Sequence, residues 1–90
     1  MGAERDNEDL KTLGSGLKTA RESKGLSLND VHDKTRISIA VLGAIENGRF
    51  DQLPPGPYAR NFIRSYADFL GVDSQPILEH FKRESGRVAP

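Results

Sequence analysis

Residues 25–50 have the sequence GLSLNDVHDKTRISIAVLGAIENGRF, and this stretch decides the fold. Ser27 followed three residues later by Asp30 resembles a capping box, the side-chain arrangement that starts many helices. Ser38 is a second N-cap residue. The pair Asn47-Gly48 is a good C-terminal signal, because both residues tolerate the left-handed backbone that often ends a helix. These signals predict two short helices joined by a tight turn.

Helical periodicity continues on both sides of this stretch, and no segment alternates with the period of two that a half-buried strand requires. Glycines follow two of the periodic segments, and Pro57 and Pro76 suit the first turns of two others. The predicted fold is therefore all-α, with five helices. They cover residues 13–23, 27–35, 38–47, 57–70 and about 74–81.

The five helices form one predicted domain over residues 13–84. Residues 1–12 are predicted to be a disordered acidic lead-in, because the first nine residues are polar and have no periodic apolar face. Residues 85–90 are predicted to begin a linker.

The composition restricts the class of protein. The chain has 90 residues, which suggests one small domain, and it has no cysteine, which excludes disulfides and thiolate metal sites. It has neither an apolar run of 18 residues nor a signal peptide, so we expect a cytoplasmic segment without membrane contact. Lysine and arginine number 13, and so do aspartate and glutamate. This balance argues against a dedicated nucleic-acid binder, which usually carries a basic excess.

The sequence contains no convincing catalytic or metal-binding pattern. Residues 14–19, GSGLKT, lack the contiguous Gly-Lys-Thr and the preceding strand of a phosphate-binding loop. His32 and His80 are far apart, and neither has a second ligand at metal-site spacing. No serine lies in a nucleophile-elbow sequence. We therefore predict no enzymatic activity, no cofactor and no metal.

Residues 13–50 resemble the phage-repressor or Xre type of helix-turn-helix domain. The residues that carry the similarity are Leu13-Gly14, Leu17, Ala20-Arg21-Glu22, Gly25-Leu26-Ser27-Leu28, Val31, Ile37-Ser38, Leu42 and Ile45-Glu46-Asn47-Gly48. In that family an arginine late in the first helix pairs with a glutamate late in the third. The resemblance therefore implies a structural ion pair between Arg21 and Glu46.

Two residues depart from the family pattern. His32 stands in the middle of the second helix, where the family usually has a small residue. Arg36 stands in the turn, where the family often has a glycine that adopts a positive φ. Both departures bear on the angle between the second and third helices.

A DNA-binding protein of this type reads bases from the N-terminal part of its third helix. With Leu42 facing the core, a rotation of about 100° per residue turns positions 40, 43, 44 and 47 outward. Among these outward residues only Asn47 has a base-reading group, and it lies at the wrong end of the helix. Basic residues nearby could still contact phosphates without specifying sequence. The predicted DNA-backbone contacts are Lys34, Arg36, Asn47 and Arg49.

The segment that follows extends the resemblance. Residues 46–54, ENGRFDQLP, and residues 58–71, YARNFIRSYADFLG, are similar to the N-terminal cytoplasmic domain of the RodZ family. Asn61 departs from it, because the family usually has glycine there. In that family this domain binds the actin-like protein MreB, and a linker, one transmembrane helix and a periplasmic domain follow. The resemblance implies a non-enzymatic adaptor in bacterial cell-shape control, at the cytoplasmic face of the inner membrane if the intact protein is anchored.

The fourth predicted helix has a wide apolar surface. Ala59, Ile63, Tyr66 and Leu70 form one stripe, and three more aromatic residues widen it beyond the ~100° that a one-sided helix requires. Two arginines flank the stripe, and aromatic residues beside arginines are typical of interface anchors. The alternative is that the fifth helix and the loop containing Phe50 cover these rings. The predicted partner-binding residues are Tyr58, Arg60, Phe62, Arg64, Tyr66 and Phe69.

Three functional hypotheses follow from these patterns. The first is the adaptor that binds an MreB-like filament. The second is a DNA-binding transcriptional regulator of the Xre type, against which the neutral charge and the apolar third helix argue. The third is a homodimerisation module.

Overall fold

The structure is a computed structural model, and it describes the backbone of residues 2–54 and 57–88 and the side chains of residues 11–54 and 57–82. Every regular element in these ranges is helical. The helices are α1 (Gly2–Ser23), α2 (Leu28–Thr35), α3 (Ile39–Glu46), α4 (Pro57–Leu70) and α5 (Gln75–Val88), with a 3₁₀ turn at Phe50–Gln52 between α3 and α4. The prediction of an all-α fold with five helices is confirmed.

The two predicted N-caps are present. The Ser27 hydroxyl accepts a hydrogen bond from the Asp30 N–H at 3.0 Å, and the Asp30 carboxylate accepts one from the Ser27 N–H at 2.9 Å. This backbone hydrogen bond from Ser27 holds the pKa of Asp30 below its usual value. The Ser38 hydroxyl accepts from the Val41 N–H at 3.2 Å in the same way at the start of α3. Side-chain caps therefore fix where both helices of the motif begin.

Arg36 occupies the left-handed region that a glycine usually fills, with φ at 66°. Its N–H donates to the His32 carbonyl at 2.8 Å and so ends α2. His32 also acts through its side chain, because its Nδ1 hydrogen-bonds the Ile37 carbonyl at 2.8 Å. Both departures from the family pattern thus contribute hydrogen bonds that hold the turn between α2 and α3.

Helices α1 and α3 approach closely at Gly14. A Cβ added at this position would lie 2.8 Å from the Glu46 carbonyl oxygen and still closer to that of Ile45. Both obstacles are backbone atoms, which cannot rotate away as a side chain would. The first glycine of the GSGLKT segment is therefore a helix-packing residue.

The core lies where α3 is enclosed by α1, α2, α4 and the 3₁₀ turn. Its fully buried side chains include Leu17, Val31, Leu42, Ile45, Ile63, Tyr66 and Ile77. An edge-to-face pair of rings, Phe50 and Phe81 with centroids 5.8 Å apart, joins the 3₁₀ turn to α5. As predicted, Leu42 and Ile45 face inward from α3.

The structure differs from the predicted elements in three places. Helix α1 begins at Gly2 rather than near Leu13, so most of the predicted lead-in is helical. The reason is that a helix with an established nucleus extends at little cost through residues other than glycine and proline. Helix α5 continues to Val88, and residues 89 and 90 of the predicted linker lie outside the described residues. Ala44, predicted to face outward, is 7% exposed, because α3 packs on several sides rather than one.

Candidate partner-binding surface

Arg21, Glu46 and Tyr66 form a buried polar cluster that joins three helices. Arg21 donates from Nε to the Glu46 Oε2 at 2.7 Å and from Nη2 to Oε1 at 3.1 Å, a bidentate pair. Its Nη1 donates to the Leu26 carbonyl at 2.8 Å, in the turn that follows α1. The hydrogen bonds to Glu46 raise the pKa of Arg21 further above its usual value. The arrangement is structural, since the cluster lies inside the domain.

Tyr66 belongs to this cluster and not to the surface. Its side chain is fully buried, and its hydroxyl donates to the Glu46 carboxylate. Burial is the main reason why the pKa of the phenol is raised, and that hydrogen bond raises it further. The prediction that Tyr66 binds the partner is therefore wrong, because a partner cannot reach a ring enclosed by the core.

The other three predicted aromatic residues of α4 lie together on one side of the helix, which we call the aromatic flank. Tyr58 is 64% exposed and Phe69 38% exposed, while Phe62 between them packs partly against the core. These three positions fall within about 40° of one another around the helix axis. The 3₁₀ turn and α5 therefore leave Tyr58 and Phe69 open to solvent.

Arg60 and Arg64 lie on another side of α4, about 120–180° around the helix axis from the rings of the aromatic flank. Both arginines are exposed. They line a shallow groove with Asn61, with Pro57 and with Leu78 of α5, which we call the arginine groove. The sequence did not predict this groove, since Leu78 enters it only through the packing of α5 on α4.

The residues predicted to contact DNA do not form a base-reading surface. Lys34, Arg36, Asn47 and Arg49 are all exposed, around the ends of α2 and α3. At the start of α3, however, the exposed side chains are Ser38, whose hydroxyl caps the helix, and Ile39 at 41% and Ala40, neither of which can hydrogen-bond a base.

The described part of the chain contains no candidate metal site and no candidate membrane span. No group of three or more acidic, histidine or cysteine side chains there is placed to hold a metal ion. No helix within the same ranges has the length and apolar character needed to cross a bilayer.

Comparison with known proteins decides the family. A family model described as a helix-turn-helix domain matches residues 16–77, more than half of the chain. The chain belongs to this helix-turn-helix family. The predicted helix-turn-helix is thus confirmed, and the match extends through α4 to the first turn of α5.

Curated relatives support the resemblance to RodZ. The chain is 41% identical over 71 residues to cytoskeleton protein RodZ of Streptococcus pneumoniae (strain ATCC BAA-255 / R6), a match that covers 79% of this chain and 26% of the relative. It is 36% identical over 59 residues to the uncharacterized membrane protein YmfM of Bacillus subtilis (strain 168), covering 66% of this chain and 20% of that one. The chain thus spans about a quarter or less of the length of these relatives.

One solved structure is similar over nearly the whole domain. It is described as bacterial actin MreB assembling in complex with cell shape protein RodZ, and the matched chain is 27% identical with a TM-score of 0.80. The match covers 90% of this chain and 99% of the other. The predicted resemblance to the RodZ family is confirmed.

Proposed function

We propose that this domain is a non-enzymatic adaptor that binds an actin-like cytoskeletal protein of the MreB type in bacterial cell-shape control. The observation that carries the proposal is the similarity in fold, along almost the full length of both chains, to a chain from an MreB–RodZ complex. The identity to a cytoskeleton protein of the RodZ type supports the same function. The domain would then act in the cytoplasm, at the inner membrane if the intact protein is anchored there.

The aromatic flank is the surface that we assign to the filament. Exposed aromatic rings cost free energy in water and are enriched among the residues that dominate binding energy. Tyr58 and Phe69 are two of the three large apolar side chains that are exposed in the described part of the chain. Both lie on α4, with Phe62 between them, so one side of this helix carries all three rings.

Co-sedimentation with a polymerised MreB-type protein tests the proposal. The variant Tyr58→Ser should raise the dissociation constant about thirtyfold, because truncation of a hot-spot aromatic costs ~2 kcal/mol or more. Phe69→Ser should weaken binding in the same direction. Circular dichroism should show both variants folded, since neither ring belongs to the core.

Ile39→Ser is the matched control, because Ile39 is the third exposed large apolar residue and lies on α3. It should bind as the parent does. Phe62→Ala is a less clean test than Tyr58→Ser, because Phe62 also packs against the core. A parent domain that fails to sediment with the filament, or a Tyr58→Ser variant that binds normally, would contradict the proposal.

A further inference from the structure

The arginine groove is a second candidate binding surface on α4. Arg60 and Arg64 are one helical turn apart, and like charges at this spacing repel each other. Among the described side chains neither arginine forms an ion pair. Asp68 lies one turn beyond Arg64, but the two do not pair. Two neighbouring positive charges on α4 therefore have no directly contacting carboxylate among the described side chains.

The chemistry around these charges suits a carboxylate. Each guanidinium offers a planar fork of N–H donors that matches the two oxygens of a carboxylate. Asn61 adds an amide that both donates and accepts. Pro57 and Leu78 supply apolar surface in the same groove, against which an aliphatic side chain can pack.

We propose that the arginine groove binds an acidic segment of a protein partner, in which a glutamate or aspartate lies next to an aliphatic residue. The proposal rests on the proposed function, because the segment is assigned to the same filament protein that covers the aromatic flank. Ser65 and Asp68 are exposed and lie on the solvent side of α4, between the aromatic flank and the arginine groove. The partner therefore contacts α4 on both sides of these two polar residues.

A polyanionic surface fits the groove less well than a single acidic segment does. Recognition of anionic lipid typically uses clusters of about 4–8 lysines and arginines, and nucleic acid requires a basic stripe. Only two arginines line this groove, and the acidic Asp68 and Glu79 are exposed on the same two helices. The whole chain also has no net charge.

Co-sedimentation with a polymerised MreB-type protein tests the proposal, with the double variant Arg60→Gln/Arg64→Gln of the 90-residue chain. Its dissociation constant should rise about three- to tenfold, the range for loss of two partly exposed ion pairs, and should depend less on salt than that of the parent. Arg49→Gln is the matched control, since Arg49 is exposed and lies outside the groove; it should bind as the parent does. A double variant with the parent's affinity and salt dependence would overturn the proposal.

A titration followed by NMR separates failure of the groove from failure of the proposed function. The probe is the peptide acetyl-Leu-Glu-Glu-Leu-amide, with its Gln-Gln analogue as control. The acidic peptide alone should shift the Arg60 and Arg64 Nε–H signals and a Leu78 methyl signal, whether or not the domain binds filaments. Equal shifts with both peptides, or larger shifts with phosphatidylglycerol vesicles than with the acidic peptide, would overturn the assignment to an acidic protein segment.

Discussion

Glu46 accepts hydrogen bonds from two other helices, because Arg21 of α1 and Tyr66 of α4 both donate to its carboxylate. The variant Glu46→Ala would leave the Arg21 charge buried without its partner, which typically costs ~3–5 kcal/mol. Thermal unfolding followed by circular dichroism should show a melting temperature lower by more than about 12 °C. Glu22→Ala, which removes an exposed carboxylate of α1, is the control and should have little effect. A Glu46→Ala domain that melts within about two degrees of the parent would contradict this role, given the usual size of such losses.

Tyr66 makes the stability of the domain sensitive to alkaline pH. Because burial raises the pKa of Tyr66 in the folded state, its contribution is complete below the unfolded pKa of about 10 and is lost as pH rises above it. Urea unfolding should therefore show a falling free energy of unfolding above about pH 10, and Tyr66→Phe should flatten this fall. At neutral pH the same variant should lose about 1.5–3 kcal/mol, the worth of a hydrogen bond to a charged group. Identical alkaline slopes for parent and variant would show that Tyr66 does not titrate in this way.

Gly14 and Gly16 form a matched pair within α1. Gly14→Ala places a methyl group against backbone oxygens of α3 and should cost at least ~1–3 kcal/mol, as overpacking does. Gly16 has open space around it, so Gly16→Ala should stabilise the helix by ~0.5–1 kcal/mol. Chemical denaturation of the two variants should give changes of opposite sign. Two changes of the same sign would mean that the approach of α1 to α3 is looser than the structure shows.

At the scale of an element, α4 shows what a periodic pattern can predict. Its bounds and its stripe of Ala59, Ile63 and Leu70 follow from the sequence, because the angle between residues on one helix is fixed by local geometry. Whether Tyr66 or Tyr58 is covered depends on where α3 and α5 pack, which the periodicity of α4 does not contain. The same geometry places Arg60 and the aromatic flank on different sides of α4. Spacing alone could therefore have predicted that the aromatic residues and the arginines are separated.

The start of α1 and the face of α3 failed as predictions for different reasons. Residues 2–12 have no periodic apolar face, and helicity there follows from continuation of a helix that begins to pack near Leu13. Ala44 was assigned to the outside because one inward direction was assumed for α3. A short helix in the centre of a small domain is instead enclosed on several sides, so periodicity is a weaker guide to its buried residues.

At the scale of the whole molecule, the balance of charge predicts weak and unspecific binding to DNA. Lys34, Arg36 and Arg49 allow phosphate contacts, while Ile39 and Ala40 offer none to bases. Selection against a random-sequence library at physiological salt should enrich no motif, and any residual affinity should fall steeply with added salt. A selected consensus bound with a dissociation constant of ~10 nM would instead support a transcriptional regulator.

We propose that α4, rather than the helix that reads DNA in related domains, faces the filament. The chain has no cysteine, so single cysteines can be introduced and labelled with a benzophenone maleimide without background. Ser65→Cys and Ala40→Cys place the photocrosslinker at exposed positions on α4 and α3 respectively, and position 65 adjoins the aromatic flank without removing one of its rings. With a polymerised MreB-type protein, we predict a crosslink from position 65 and none from position 40. A crosslink from position 40 alone would contradict the account, because it would place the filament on α3.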